Sequence, residues 1–290
     1  MTSTAPHIEL RFPDGLAEHL ADLALTEDLA GGPDVTTAAT VPAALRGVAR
    51  VVARADGVVA GLPVAQAVFA RRLGGRGAVR LLAADGDRVR PGSVVLEVEG
   101  PVTDLLVAER SALNLLTHLS GVATLTARWV EAVAGTGVVV RDTRKTLPGL
   151  RAAQKYAVRA GGGANHRMSL GDQALIKDNH VIAAGGVVAA TAAVRAAWPD
   201  VFCEVECDTL DQVEQAVTAG AVLVLLDNMS FDELRAAVAL CRPAGVRTEA
   251  SGGLTLDVAR DVALTGVDYL AVGALTHSAP SLDLGLDLDA

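Results

Sequence analysis

AVLVLLDNMSFDELRAAVALCRPAGVRTEASGG (221–253) decides the fold of this chain. Its first run, AVLVLLDN (221–228), is continuously apolar up to Asp227, which predicts a strand covered on both faces. FDELRAAVALCRPAG (231–245) is an Ala-rich helical stretch, and VRTEASGG (246–253) is a second strand ending in glycine. Strand, helix and strand in this order make one unit of a parallel sheet. The rhythm extends outward through VVVRDTRK (138–145), ALIKDNH (174–180), VFCEVEC (201–207) and DYLAVGA (268–274), with LDQVEQAVTAG (210–220) as another helix. Most of these runs end in polar or charged residues, and the last ends among glycine and alanine. An α/β barrel assembles its active site from such strand ends at one rim. Six runs are visible where a closed barrel needs eight, so an incomplete α/β barrel is expected.

The chain changes character near position 120. Before it, GVARVVARADGVVAGL (47–62) and AVRLLAADGDRVRPGSVVLEVEGPV (78–102) are short strands joined by Gly, Pro and Asp turns. LLVAERSALNLLTHLSGVATLTARWVEAV (105–133) is apolar at helical spacing and makes one or two helices. We therefore expect a smaller N-terminal α/β sandwich domain (1–120) packed with an open barrel (121–275). The tail (276–290), with SLDLGLDLDA, is expected to return to the N-terminal domain. DGDRVRPGSVVLEVEG resembles the hairpin of a biotinyl or lipoyl carrier, but such carriers need a lysine at the turn and this segment has none. A scaffold sheet is the better reading.

The 290 residues carry a formal charge of −9, which argues against a nucleic-acid or membrane-surface partner. No apolar stretch reaches the roughly 18 residues a membrane span needs. MTSTAPHIELRFPDG lacks the basic flank and apolar run of a leader, so a cytoplasmic protein is expected. Cys203, Cys207 and Cys241 fit a reducing compartment. Cys203 and Cys207 would face one way on a strand, as a metal pair or, more simply, as small buried hydrophobes.

The charge is unevenly spread. Residues 141–180 hold eight Lys or Arg against three acids, and all three lysines of the chain (Lys145, Lys155, Lys177) fall there. Arg144 and Lys145 leave the first barrel strand together. A guanidinium grips a carboxylate or phosphate through two parallel hydrogen bonds, whereas an ammonium acts as a point charge. Gly161, Gly162 and Gly163 precede Asn165, His166 and Arg167 and allow close backbone approach to a ligand. Lys177 closes an apolar strand, a position better explained by function than by packing. Glu204 and Glu206 share one face of their strand. Glu206 and Asp227, one strand apart, form a hard-oxygen pair suited to Mg²⁺, or else pair with Lys145 and Lys177. Ser251, Gly252 and Gly253, with Val272, Gly273 and Ala274, end adjacent strands where free backbone N–H groups can hold a phosphate. No Ser-His-Asp or Cys-His nucleophile stands at a strand end, which fits chemistry driven by positioning and charge.

Through ERSALN (109–114), DTRKTLPGLR (142–151), AVRAGGGANHRMSLGDQALIKDNH (157–180), EVEC (204–207), LLDNMS (225–230), EASGG (249–253) and GVDYLAVGALTH (266–277) the chain resembles the quinolinate phosphoribosyltransferase family. Leu147 departs from it, at a position where the family often has a second threonine. The resemblance implies a type II phosphoribosyltransferase fold that turns quinolinate and phosphoribosyl pyrophosphate, with Mg²⁺, into nicotinate mononucleotide, pyrophosphate and CO₂. It implies a homodimer, or a hexamer, in which Arg110 reaches into the neighbouring site. Arg144, His166, Arg167 and Lys177 would hold the two quinolinate carboxylates, assisted by Arg110, with Thr143 also among the substrate-binding residues, and Lys145 would touch phosphoribosyl pyrophosphate. Glu206 and Asp227 would hold the ribose hydroxyls or the metal; Ser251 to Gly253 and Val272 to Ala274 would cradle the 5′-phosphate. Lys145, Lys177, Glu206 and Asp227 are the expected catalytic residues. Two enzymatic rivals remain open: a relative associated with molybdenum transport, and a lyase forming a Schiff base on Lys177.

Overall fold

The structure, a computed structural model, describes residues 10–289, so most of the stretch read for a leader lies outside it. Along the chain the first strands are β1 (Arg46–Ala53), β2 (Gly57–Val58), β3 (Ala78–Leu81), β4 (Arg88–Val89) and β5 (Val94–Pro101). The parallel strands are β6 (Val139–Arg141), β7 (Ala174–Ile176), β8 (Cys203–Cys207), β9 (Leu223–Asp227), β10 (Arg247–Ser251) and β11 (Tyr269–Ala271), followed by β12 (Leu284–Asp289).

Two compact units result. The first holds the described residues of Met1–Ala127, Pro148–Gly162 and Ser278–Ala290; the second holds Arg128–Leu147 and Gly163–His277. This division differs from boundaries at 120 and 275, and the reason is local. After helices α1 (Leu16–Asp28), α2 (Val35–Thr40) and α3 (Leu62–Leu73), residues 105–132 fall in one unbroken helix, α4 (Val102–Ala132), so the chain changes unit inside a helix rather than at a loop. The helix Arg151–Ala160 belongs with the first unit, although its sequence lies among the barrel motifs.

In the first unit β12, β1, β5 and β3 form an antiparallel sheet in that order. The tail thus pairs along β1 from Val48 to Ala53. A helix over Leu62–Leu73, between β2 and β3, adds to the strands read in this part of the sequence. Its apolar residues Leu62, Val68 and Phe69 pack with Leu96, Leu105 and Leu116 into the unit's core.

The second unit is a six-stranded parallel sheet in the order β6-β11-β10-β9-β8-β7. The edge strands β6 and β7 do not pair with each other, which leaves the barrel open. Val224 and Leu226 are fully buried and Leu223 and Leu225 nearly so, as a strand covered on both faces requires. The runs 174–180 and 268–274 are strand only in their first half, because helices start at Asp178 and Ala274. Thr209 caps the helix Leu210–Thr218 and Ser230 caps Phe231–Cys241, so both helices turn back sharply after β8 and β9. All three cysteines are free and buried. Among the described residues, no single helix is long and apolar enough to cross a membrane.

Candidate active site

All six parallel strands deliver residues to one cavity of about 390 Å³ at their C-terminal ends. Thr143, Arg144 and Lys145 follow β6, and Arg167 and Lys177 bracket β7. Glu206, Asp227, Ser251 and Ala271 come from β8, β9, β10 and β11. Most of the residues selected from the sequence therefore meet in space.

One wall is cationic. The Arg144 Nε is buried without a hydrogen-bond partner. Arg167 donates from Nη1 to the Gln173 carbonyl (2.9 Å), and its guanidinium is shifted below its ordinary pKa, first by burial and then by the charge of Arg144. Two half-buried guanidiniums repelling each other at one cavity make a site for an anion, which would relieve both.

The opposite wall is acidic. Lys177 Nζ donates to Glu206 Oε2 at 2.7 Å, one of the two ion pairs foreseen for this rim. Asp227 Oδ2 accepts from the side chain of Asn228 at 2.7 Å. In each carboxylate these bonds engage one oxygen, and hard oxygens on adjacent strands suit a Mg²⁺ that also keeps substrate and water ligands.

Glycines shape the third wall. Gly252 and Gly253 hold φ of 85° and 59°, conformations that favour glycine, and a Cβ on Gly252 would run into the Asn228 side chain. A Cβ on Gly273 would lie 2.9 Å from the Lys145 side chain, so this glycine lets Lys145 pass. Thr276 fixes the same loop by donating to the Lys145 carbonyl at 2.8 Å. Ser251 lines the cavity itself; Gly252, Gly253, Val272, Gly273 and Ala274 stand beside it.

His166 differs from its expected role. It lines the cavity, but its Nδ1 accepts from the Arg167 N–H (2.7 Å), so Nε2 carries the proton and donates to Glu204 Oε2 (2.8 Å). Neither ring nitrogen is turned to a ligand. The same argument disposes of the close group His166, Glu204 and Glu249 as a metal centre: a protonated Nε2 does not ligate. This group instead forms a polar floor under the cavity. Glu249 takes Arg141 at 2.6 Å, and Asp142 accepts from the His166 N–H (2.9 Å) and the Asn165 side chain (2.5 Å). Burial and then the neighbouring Glu204 push the Glu249 carboxyl up to about 7. Sequence reasoning missed Glu249, Gln173 and Asn228. An acid inside the buried strand VRTEA was the available signal for Glu249, since burying a carboxylate needs a reason.

Arg110 lies exposed on α4, in the first unit.

An open parallel barrel with two guanidiniums that form no carboxylate salt bridge among the described residues, two acids on adjacent strands and glycine loops at its rim defines an enzyme for small polyanionic substrates. Sequence models of the two halves of one family match nearly all of the described chain: the N-terminal domain of quinolinate phosphoribosyl transferase over residues 34–120 and its C-terminal domain over 122–287. The chain belongs to the quinolinate phosphoribosyltransferase family. It is 53% identical to the carboxylating nicotinate-nucleotide pyrophosphorylase of Mycobacterium leprae, over 91% of this chain and 94% of that protein. It is 41% identical to the human protein of the same name, over 99% and 96%. The solved nicotinate-nucleotide pyrophosphorylase of Francisella tularensis superposes with a TM-score of 0.89 at 34% identity, covering 96% of this chain and 98% of that one.

Proposed function

We propose that the chain transfers phosphoribosyl from phosphoribosyl pyrophosphate to quinolinate, releasing pyrophosphate and CO₂ and forming nicotinate mononucleotide for NAD synthesis. The observation that carries this reading is the pair of half-buried guanidiniums of Arg144 and Arg167 lining one cavity, with Arg144 lowering the Arg167 pKa and neither in a carboxylate salt bridge among the described residues.

Arg144 and Arg167 grip the two quinolinate carboxylates, with Thr143 and Lys177 beside them and His166 forming the floor. Lys145 faces the phosphoribosyl pyrophosphate. The loops from Ser251 to Gly253 and Val272 to Ala274 cradle its 5′-phosphate through the backbone N–H groups of Gly252, Gly253, Gly273 and Ala274, the Val272 N–H being held by the Arg141 carbonyl. Loss of pyrophosphate leaves positive charge at the ribose C1, which the Glu206 and Asp227 carboxylates stabilise while orienting the ribose hydroxyls. Those two carboxylates would also hold Mg²⁺, which when bound neutralises the leaving group. After the pyridine nitrogen has bonded to C1, the ring is cationic. The adjacent carboxylate leaves as CO₂, its electron pair stays at the ring carbon, and a proton replaces it. The protein's part is to hold that carboxylate beside the nitrogen in a site poor in water.

The working form is a cytoplasmic homodimer in which Arg110 of a second copy completes the anion grip. A Schiff-base role for Lys177 is the weaker reading, because its Nζ is engaged by Glu206. Incubation with quinolinate, phosphoribosyl pyrophosphate and Mg²⁺ tests the proposal. Nicotinate mononucleotide and CO₂ should appear in equal amounts; a protein that binds both substrates but makes neither product would overturn it.

A further inference from the structure

Glu204 lies wholly buried on β8, paired across the sheet with Leu175 and Leu223, two residues before the rim acid Glu206. It does not line the cavity. Its Oε2 nevertheless accepts two side-chain hydrogen bonds, from His166 Nε2 and from Gln173 Nε2, both at 2.8 Å.

Each of these partners leads to a different end of Arg167. His166 accepts from the Arg167 backbone N–H through Nδ1 at 2.7 Å, and it can do so only while its own proton sits on Nε2 facing Glu204. Gln173 offers its backbone carbonyl to Arg167 Nη1 at 2.9 Å. One carboxylate oxygen thus fixes the imidazole tautomer behind the Arg167 backbone and the residue that holds the Arg167 guanidinium. We propose that Glu204 is the positioning residue for the Arg167 carboxylate grip, acting through His166 and Gln173 without touching substrate. The inference rests on the reading that Arg167 holds a quinolinate carboxylate.

The geometry also says which feature of Glu204 matters. Both donors meet the same oxygen, so a glutamine can accept both through its carbonyl. Its amide would then take the place of Glu204 Oε1, which has no hydrogen-bond partner. The role is one of placement and should survive loss of the charge.

The test uses four variants of the whole chain with separate KM values for the two substrates. Arg167→Ala reports on the underlying reading: an unchanged KM for quinolinate would remove that reading and this inference with it. With that control raised, Glu204→Ala should raise the KM for quinolinate about tenfold or more and the KM for phosphoribosyl pyrophosphate less than about threefold, while Glu204→Gln stays near wild type. Nitrogen NMR of labelled histidine should show the Nε2–H tautomer of His166 in wild type and Glu204→Gln and its loss in Glu204→Ala. If Glu204→Ala does not fold, Gln173→Ala reads the other arm and should raise the quinolinate KM several-fold. A raised Arg167→Ala value with unchanged quinolinate KM in the folded Glu204→Ala or Gln173→Ala, or an equal rise for both substrates, would overturn the inference.

Discussion

The side-chain amide of Asn228 donates to Asp227 Oδ2 at 2.7 Å, from a residue whose own φ is 54°, the one positive value outside glycine among the described residues. Asparagine tolerates this left-handed conformation better than most side chains. The same residue donates its backbone N–H to the Ser251 carbonyl at 3.0 Å, and its side chain fills the space a Cβ on Gly252 would need. Asn228 therefore clips the acidic end of β9 to the glycine end of β10.

Asn228→Gly keeps the backbone conformation and the N–H bond to Ser251 and removes the side chain's hold on Asp227. Its melting temperature should stay close to wild type, while the KM for phosphoribosyl pyrophosphate rises about tenfold, the scale of one charge-assisted hydrogen bond. Steady-state kinetics with quinolinate saturating checks this; an unchanged KM would mean the clip is ornamental to binding.

Arg144→Ala removes one half of the proposed carboxylate grip. Losing charged hydrogen bonds worth on the order of 1.5–3 kcal/mol should raise the KM for quinolinate roughly tenfold to a hundredfold. The KM for phosphoribosyl pyrophosphate should barely move. Equal effects on both substrates would assign Arg144 to a different group.

Mixing Arg110→Ala subunits with Lys177→Ala subunits should recover partial activity, because one site of each mixed dimer would then hold an intact set. Native mass spectrometry confirms the mixed species. Confirmed mixed dimers with no activity would argue that Arg110 serves its own subunit or none.

Glu249 gives a pH signature. Its carboxyl is pushed from its ordinary 4.5 up to about 7, so between those values the folded chain keeps a proton that the unfolded chain has released. Stability contributed by that proton is complete below about 4.5 and is lost as pH rises through about 7. Glu249→Gln cannot lose it. The stability of the variant relative to wild type should therefore improve as pH is raised from 5 to 8, read as the difference in melting temperature. His118, whose pKa burial lowers, contributes to both proteins alike and cancels. A difference that stays constant with pH would contradict the assignment.

The parallel barrel was legible because its strands carry their own punctuation. Val224 to Leu226 are apolar without alternation, and Asp227 stops the run where the rim begins. Lys145, Lys177, Glu206 and Asp227 could be chosen for the same reason, as charges at the ends of buried strands. What sequence reading could not supply is direction inside the barrel. Glu204 and Glu206 share a face, yet one lies in the floor and the other at the rim, and only the depth of each strand separates them. His166 looked like a ligand contact because a histidine beside an arginine carries no mark of where its nitrogens point. The chain passes from one compact unit to the other within α4, after Ala127 rather than at 120, because that helix has no proline and only one glycine, Gly121, whose missing side chain leaves room for the backbone of Pro280.

The central claim is that the cavity recognises two adjacent carboxylates on one pyridine ring. Calorimetric titration of the unliganded protein with quinolinate and with nicotinate, which lacks the second carboxylate, tests it most directly. We expect quinolinate to bind at least about tenfold more tightly, and Arg167→Ala to remove most of that preference. Equal affinity for the two acids would contradict the account.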